Sequence, residues 1–549
     1  MIHSDRLVFT GKGVESPDLT GLAGLTRRKL LKRAGALFAA PLLSPCSRAL
    51  AANMDDPFTL GVACGDPSFD GFVLWTRLAP QPISPDGLGG LAGMPSEIPV
   101  RWEIATDDAM RNIVRSGIAR APAHFAYSVH VEVTGLAAQR PYWYRFTALG
   151  AQSPVGRAVT APCRNAPLDR LRFAFASCAN WEAGYFSAYR HMAQEHPDLI
   201  VFLGDYIYDN SRDPRETGGK PVVRPHDGPN ATDLVAYRNR YALYRTDADL
   251  QSVHAMAPCL MTWDDHEVQD DYANNWSKFT DVSMTSFLKQ RAAAYQAFYE
   301  HMPLRASSIP RGPDMRIYDR VSYGSLIDFH VIDGRQYRTP QPCPLPTTRG
   351  GHVVAESCVD RTEARRTMLG FTQEAWLHDG LRRSSAKWNV MAQDLLFAPL
   401  LQKDPRTGAV GHWTDGWDGY PATRERLLRA IAQSRPSNPV IIGGDIHSFW
   451  TNDVHLNERP DSPVIATEFV GTSVTSDGPP YDTFASMLPE NPHVKYFESR
   501  HRGYVCIDVT PERMTTRFRV ISDRTDKRAT VSTLKEFVVC SGKAGAQAT

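Results

Sequence analysis

Five segments of the chain each close an apolar run on residues able to bind metal: Phe173-Ala-Phe-Ala-Ser-Cys178-Ala-Asn180, Ile200-Val-Phe-Leu-Gly204-Asp205-Tyr-Ile-Tyr208, Leu260-Met-Thr-Trp-Asp264-Asp265-His266-Glu267, Val390-Met-Ala-Gln393-Asp394 and Val440-Ile-Ile-Gly443-Gly-Asp445-Ile-His447. In an open α/β sheet the functional loops lie beyond the carboxyl ends of the strands, so such ends can share one crevice. Brought together, a Cys, three Asp, a Tyr and two His make a metal site, expected to hold two ions. Asp205 is placed to bridge both ions, whereas Tyr208, three residues on, reaches one. Thiolate and phenolate stabilise a high oxidation state, and an all-oxygen set favours hard ions. The expected site is therefore asymmetric, with ferric iron in the Cys/Tyr/His half and a harder divalent ion in the Asp-rich half.

The elements that must position these residues fall into two rhythms. From about Phe58 to Val159 the pattern is of short alternating strands with turn signals between them, as in Phe72–Arg77, Val100–Ala105, His130–Thr134 and Tyr142–Thr147. About seven such runs in that span suggest a small immunoglobulin- or fibronectin-like sandwich, with Pro162 to Pro167 as linker. From Leu171 onward strands alternate with helices. Helices are predicted over Tyr185–Gln194, Leu234–Tyr244, Ser286–His301, Thr372–Arg382 and Thr423–Ser434, and the apolar runs between them predict βαβ units around a largely parallel core. Tyr504–Val509 and Met514–Ile521 alternate instead, which implies an antiparallel edge or a second sheet. The segment after Cys540 reads as disordered.

Composition narrows the function classes. At 549 residues, 42% hydrophobic and 22% charged, the chain has the make-up of a large water-soluble fold with two or three domains. The first 52 residues carry eight Lys/Arg against three Asp/Glu, so removing them changes the formal net charge from +1 to about −4. That weak acidity gives no reason to expect nucleic acid or an anionic membrane as partner. Arg27-Arg28 before the mild apolar run Ala34–Leu43, followed by Ala49-Leu50-Ala51, has the form of a twin-arginine export signal, and no stretch is suited to crossing a bilayer. Nine cysteines include Cys343 and Cys358 flanking a Pro-, Thr- and Gly-rich loop, where a disulfide or two free buried thiols are both open readings.

Taken in order, Cys178, Gly-Asp205-x-x-Tyr208, Asp-Asp265-His266-Glu and Gly-Asp445-x-His447 resemble the PhoD-like alkaline phosphatases, relatives of the purple acid phosphatases. Cys178 stands where the latter carry their first Asp, and Asp445 stands where they carry a metal-binding His. The fourth block, Gln393-Asp394, has no His. The resemblance implies a four-layer αββα metallophosphoesterase-type core preceded by the all-β sandwich. The expected division is a signal peptide over 1–52, a sandwich over 56–162, a catalytic domain over 168–525 and an extension over 526–549. It also implies phosphate-ester hydrolysis by metal-activated water at an iron–calcium type centre. Expected ions are Fe3+ and Ca2+, with Mg2+, Mn2+ or Zn2+ as alternatives for the second.

In that reading Cys178, Asp205, Tyr208, Asp265, Asp445 and His447 hold metal. His266 contacts the phosphoryl group and protonates the leaving oxygen, and Asn180 and Arg238 assist. Arg335 and Arg338 lie in similar segments, with ion pairing to Asp as their alternative role. Partners would be small or polymeric phosphate esters and the twin-arginine machinery, with the enzyme a periplasmic or secreted monomer. Preference for diesters, as in a phospholipase D-like enzyme, stays open. So does a different class of function, an exported β-sandwich binding protein without activity.

Overall fold

A computed structural model describes residues 55–212, 222–404, 406–457, 459 and 461–549; the segment expected to be an export signal, 1–52, lies outside these described residues. The N-terminal part is a domain of strands, β1 (Val62–Ser68), β2 (Gly71–Arg77), β3 (Glu97–Ala105), β4 (Ile113–Pro122), β5 (Ser128–Val133), β6 (Pro141–Ala148), β7 (Ala151–Gln152) and β8 (Gly156–Val159). β3, β4, β6, β7 and β8 form one sheet. It packs against β1, β2 and β5 through Val62, Phe72, Val100, Ile104, Val131 and Phe146. Period-two alternation sends these side chains inward and leaves β4 wet on the opposite face. The sequence did not show that β1 continues into the sheet of the following part, pairing with a strand there at Gly65 and Cys259.

That following part mixes sheets and helices. Its strands are β9 (Leu171–Ala176), β10 (Leu199–Leu203), β11 (Cys259–Thr262), β12 (Asp319–Tyr323), β13 (Ile327–Val331), β14 (Val353–Val354), β15 (Trp388–Ala392), β16 (Gln402–Lys403), β17 (Val410–Trp413), β18 (Pro439–Gly443), β19 (Phe449–His455), β20 (Val464–Val470), β21 (Val494–Glu498), β22 (Gly503–Val509), β23 (Arg513–Ile521), β24 (Val531–Cys540) and β25 (Gln547–Ala548). Its helices are α1 (Ser187–Gln194), α2 (Leu234–Arg245), α3 (Ala248–Met256), α4 (Met284–His301), α5 (Gly370–Arg383), α6 (Pro421–Ser434) and α7 (Tyr481–Ala485). A ten-stranded sheet runs β25-β24-β23-β22-β9-β10-β11-β1-β2-β5, and a seven-stranded sheet runs β12-β13-β15-β18-β20-β19-β21.

Parallel pairing occupies the middle of both sheets, at β9-β10-β11-β1 and β13-β15-β18-β20. Strands buried on both faces must be apolar throughout, and β10 (Leu-Ile-Val-Phe-Leu) is wholly buried. Phe173, Val201 and Ile507 of the first sheet meet Phe329, Val390, Ile442 and Phe469 of the second in one core. Helices α1 to α4 cover the outer face of the first sheet, and α5 and α6 that of the second.

Two sequence expectations change. The helix α3 escapes the apolar pattern, yet the Asp247 carboxylate caps it by accepting from Asp249 N (2.9 Å) and Leu250 N (3.1 Å). The segment after Cys540 is not disordered: β25 pairs with β24 at Phe537 with Ala548 and Val538 with Gln547. A two-residue edge strand is held by backbone bonds, so its small polar side chains carry no signal.

Candidate metal centre

Asp205, Asp265, His266, Asp445 and His447 line one cleft, and Cys178 is buried beside Asp205. Cys178 (φ 59°), Asp205 (φ 52°), Asp445 (φ 62°) and His447 (φ 54°) all adopt the left-handed backbone region. Non-glycine residues take up this conformation at a cost of roughly 1–3 kcal/mol, and such residues gather at functional sites. Gly204 (φ 86°) makes the approach possible, because a Cβ there would stand 2.4 Å from the Cβ of Asp264. Glu267 then fastens the two turns together. Its carboxylate accepts from the backbone N–H of Asp205 (3.0 Å), Tyr206 (2.5 Å) and Asp264 (2.8 Å).

The side chains form linked donor groups. Ligand atoms of Cys178, Asp205 and His447 lie within 4.8 Å of one another, as do those of Asp205, Asp265 and His266, so Asp205 belongs to both sets. A third set, Asp265, Asp271 and Asp415, adjoins through Asp265. Tyr208 donates its hydroxyl to Asp205 Oδ2 (2.8 Å) and lies 3.3 Å from His447 Nε2. Asp445 lines the same cleft, but its carboxylate enters none of the three sets. His447 Nδ1 donates to the Asp477 carbonyl (2.7 Å), leaving Nε2 as the ligand atom.

Electrostatics favours a cation here. Burial, and then the neighbouring Asp265, Asp264 and Glu267, push the Asp205 carboxyl well above its ordinary range. Burial and Asp205 raise the Cys178 thiol and the Tyr208 phenol likewise. His447 is pushed down to about 4 by burial and the Arg502 guanidinium, which favours the neutral imidazole, the form able to bind a metal. Asp205 Oδ1 and Asp264 Oδ2 are buried with no hydrogen-bond partner. Buried acceptors without donors, crowded among like charges, are what a multivalent ion compensates. The residues present fit a metal.

Around this cluster sit groups that hold it in place. Arg335 is fully buried; its Nε donates to Asp264 and its guanidinium to Asp415 Oδ2 (2.7 Å). Arg338 also ends on Asp415. His266 stacks on Tyr208 with ring centroids 4.1 Å apart and bonds through Nδ1 to Asp209 Oδ1 (2.8 Å). Burial alone would lower its pKa, but Asp205, Asp265 and Asp209 outweigh it and hold the imidazole well above its ordinary value. Asn180 spends its Oδ1 on capping a short turn, accepting from Glu182 N (3.0 Å) and Ala183 N (3.2 Å). Gln393 accepts from Leu395 N (2.9 Å) and Trp417 Nε1 (3.0 Å), a structural staple. Arg238 is not among the residues lining the cleft: it makes a paired contact with Glu300 at 2.7 and 2.6 Å.

Asp209, Asp271 and Asp415 were not singled out from the sequence. Asp209 directly follows Tyr208, which was the available clue. Asp271 and Asp415 lie in Asp- and Gly-rich turns, where such residues are expected for local reasons.

Comparison with known proteins shows the family. Alkaline phosphatase D of Bacillus subtilis (strain 168) is 44% identical over 495 residues, covering 89% of this chain and 82% of that protein. A solved structure described as "Structure of PhoD" superposes with a TM-score of 0.83 at 42% identity, covering 90% of this chain and 92% of that one. Residues 45–162 match the N-terminal domain of the PhoD-like phosphatases and residues 173–518 match the PhoD-like phosphatase family itself. The chain belongs to the PhoD-like phosphatase family.

Proposed function

We propose that this protein is an exported alkaline phosphatase, with phosphodiesterase activity, acting through a dinuclear iron–calcium type centre. The observation that carries the reading is the sharing of Asp205 between a Cys/Asp/His set and an Asp/Asp/His set. Thiolate, phenolate and imidazole donors stabilise ferric iron in the first, and the Asp205 and Asp265 carboxylates suit calcium or another hard ion in the second. Cys178, Asp205, Tyr208 and His447 would hold the first ion, and Asp205 and Asp265, with Asp445 nearby, the second. When bound, the ions supply Lewis acidity that activates water and neutralises phosphoryl charge.

The chain's own residues do the rest. Asp209 fixes the tautomer and orientation of His266, which leaves Nε2 to deliver a proton to the departing oxygen. With its Oδ1 committed to the cap, Asn180 can meet a phosphate oxygen only as a donor through Nδ2. The cleft of about 550 Å3 has room for a second ester group, which supports diester hydrolysis beside monoester hydrolysis. The order of the cores supports the four-layer αββα reading, with the sandwich over 56–162 and the catalytic part over 168–525. Export through the twin-arginine route would deliver a folded, metal-loaded chain. Among the described residues no helix is long and apolar enough to cross a membrane.

Elemental analysis of the purified protein, beside hydrolysis of p-nitrophenyl phosphate and bis-p-nitrophenyl phosphate at alkaline pH, tests the reading. Iron near one per chain with calcium, and turnover of either ester, is the expected result. Absence of both metal and turnover after iron and calcium are supplied would sink it.

A further inference from the structure

The cleft has two unlike halves. Its floor is the carboxylate cluster, but one wall is apolar and takes no part in the chemistry described above. Val353 on β14 and Trp413 on β17 are register partners in a small antiparallel sheet, so their side chains share a face, and both are half-buried in the cleft lining. Leu396 adds to the same wall, also half-buried. Leu400 and Phe484 also reach the cleft and belong to a packed cluster with Trp450, Val470 and Phe497, against which Leu396 packs. The wall is thus a supported surface and not a loose loop.

Wall and floor are tied at a fixed spacing. A Cβ on Gly351 would stand 2.6 Å from the Trp413 ring and 2.7 Å from the Asp415 Cβ, so the backbone lies hard against both. From there Gly351 N donates to Asp271 Oδ2 (3.0 Å). The Cys343–Cys358 disulfide closes the loop that carries Gly351 and Val353. An ester whose phosphoryl group sits over the carboxylate cluster can therefore run its remaining atoms along this wall. A bare phosphate leaves most of a cleft of about 550 Å3 unused, since cavities of that order hold whole drug-sized ligands.

We infer that the wall of Val353, Leu396 and Trp413 is a binding subsite for the alcohol half of the ester, and that the preferred substrates carry an apolar or aromatic body on that alcohol. The inference rests on the phosphoesterase reading and adds its substrate class. Half-exposed aromatic and aliphatic side chains beside a charged centre gain by covering one another with an apolar ligand, and a polar alcohol offers no such gain.

The test compares 2-phenylethyl phosphate with glycerol 3-phosphate on the metal-loaded full-length protein. Both are esters of primary alcohols, so leaving-group chemistry differs little and the ratio of kcat/KM reports the wall. The aromatic ester is expected to be preferred by about tenfold or more. Trp413→Ala and, separately, Leu396→Asn are each expected to lower that ratio severalfold. Because a ratio is independent of the fraction of active enzyme, partial misfolding of a variant does not imitate the effect. A wild-type ratio near one, or a ratio unmoved in both variants, overturns the inference while leaving the phosphoesterase reading intact. If neither ester is turned over, that reading fails instead, and calorimetric binding of 2-phenylethylphosphonate against methylphosphonate decides the subsite. Tighter binding of the aromatic compound supports it, and equal affinity overturns it.

Discussion

At the scale of single residues, the centre is built from side chains that are poor ligands until a cation arrives. Cys178 and Tyr208 are held protonated by burial and by Asp205, so loading must displace protons. Cys178→Ala is expected to remove bound iron and its visible absorption while the far-ultraviolet circular dichroism stays that of the wild type, because the sheet core does not depend on Sγ. Elemental analysis with the spectra checks this, and full iron content in the variant would withdraw Cys178 from the ligand set. Asp209→Asn is expected to lower kcat roughly 10- to 100-fold through the orientation of His266, with metal content unchanged. The loss should be larger for alkyl esters than for p-nitrophenyl phosphate, since proton delivery matters most to a poor leaving group. The ligand types at the strand ends were legible because each follows an apolar run by a fixed short spacing. Asp271 and Asp415 were not, since their role depends on loops meeting across 144 positions of chain, counted from residue 271 to 415.

At the scale of elements, the long helices and buried strands followed from periodicity, and α2 is capped by Asp233, which accepts from Ala236 N at 2.9 Å. The small sheet of β14, β16 and β17 was invisible, because strands of two to four residues contain too little alternation to register. Its loop is closed by the Cys343–Cys358 disulfide, with a sequence separation of 15. A loop of that length is worth about 3 kcal/mol in the chain-entropy treatment. The Cys343→Ser/Cys358→Ser double variant should therefore unfold at lower denaturant, with a loss near that size in urea melts. Its KM should rise more than its kcat falls, because the loop bears the cleft wall and not the ligands. A variant with unchanged stability would show that packing of the loop, and not the bridge, fixes it.

At the scale of the whole molecule, the N-terminal strands are not an appendage. Residues 54–549 form one compact unit, and the end of α4 receives bonds from the strand domain: Trp75 Nε1 to the Glu300 carbonyl (3.0 Å), Arg77 to His301 Nε2 (2.7 Å) and His130 Nε2 to the Tyr299 carbonyl (2.9 Å). Arg238 completes this junction through Glu300 and the His124 carbonyl. The separate sandwich expected from strand spacing was legible as a pattern, but its fusion to the neighbouring sheet and this buried ionic junction depend on contacts that no local window contains. Arg238→Ala leaves Glu300 buried and uncompensated, and is expected to cost about 3–5 kcal/mol. Calorimetry should show the whole transition moving down together, with kcat/KM unchanged well below it. A fall in kcat/KM at constant melting temperature would instead place Arg238 in phosphate binding.

The cysteines impose a history on the molecule. Cys343 and Cys358 are joined, whereas Cys178 is a free thiol at 1% exposure with its Sγ against Ser177 Oγ (3.2 Å). In an unfolded chain these thiols are equivalent candidates for oxidation, since exchange follows access and thiolate character. In the fold Cys178 is shielded, whereas Cys343 and Cys358 face each other across a short loop. Folding around Cys178 before the loop thiols are oxidised would keep Cys178 out of a wrong pairing. Assembly in that order would leave a reduced Cys178 beside the strand ends and a finished Cys343–Cys358 bridge in the loop.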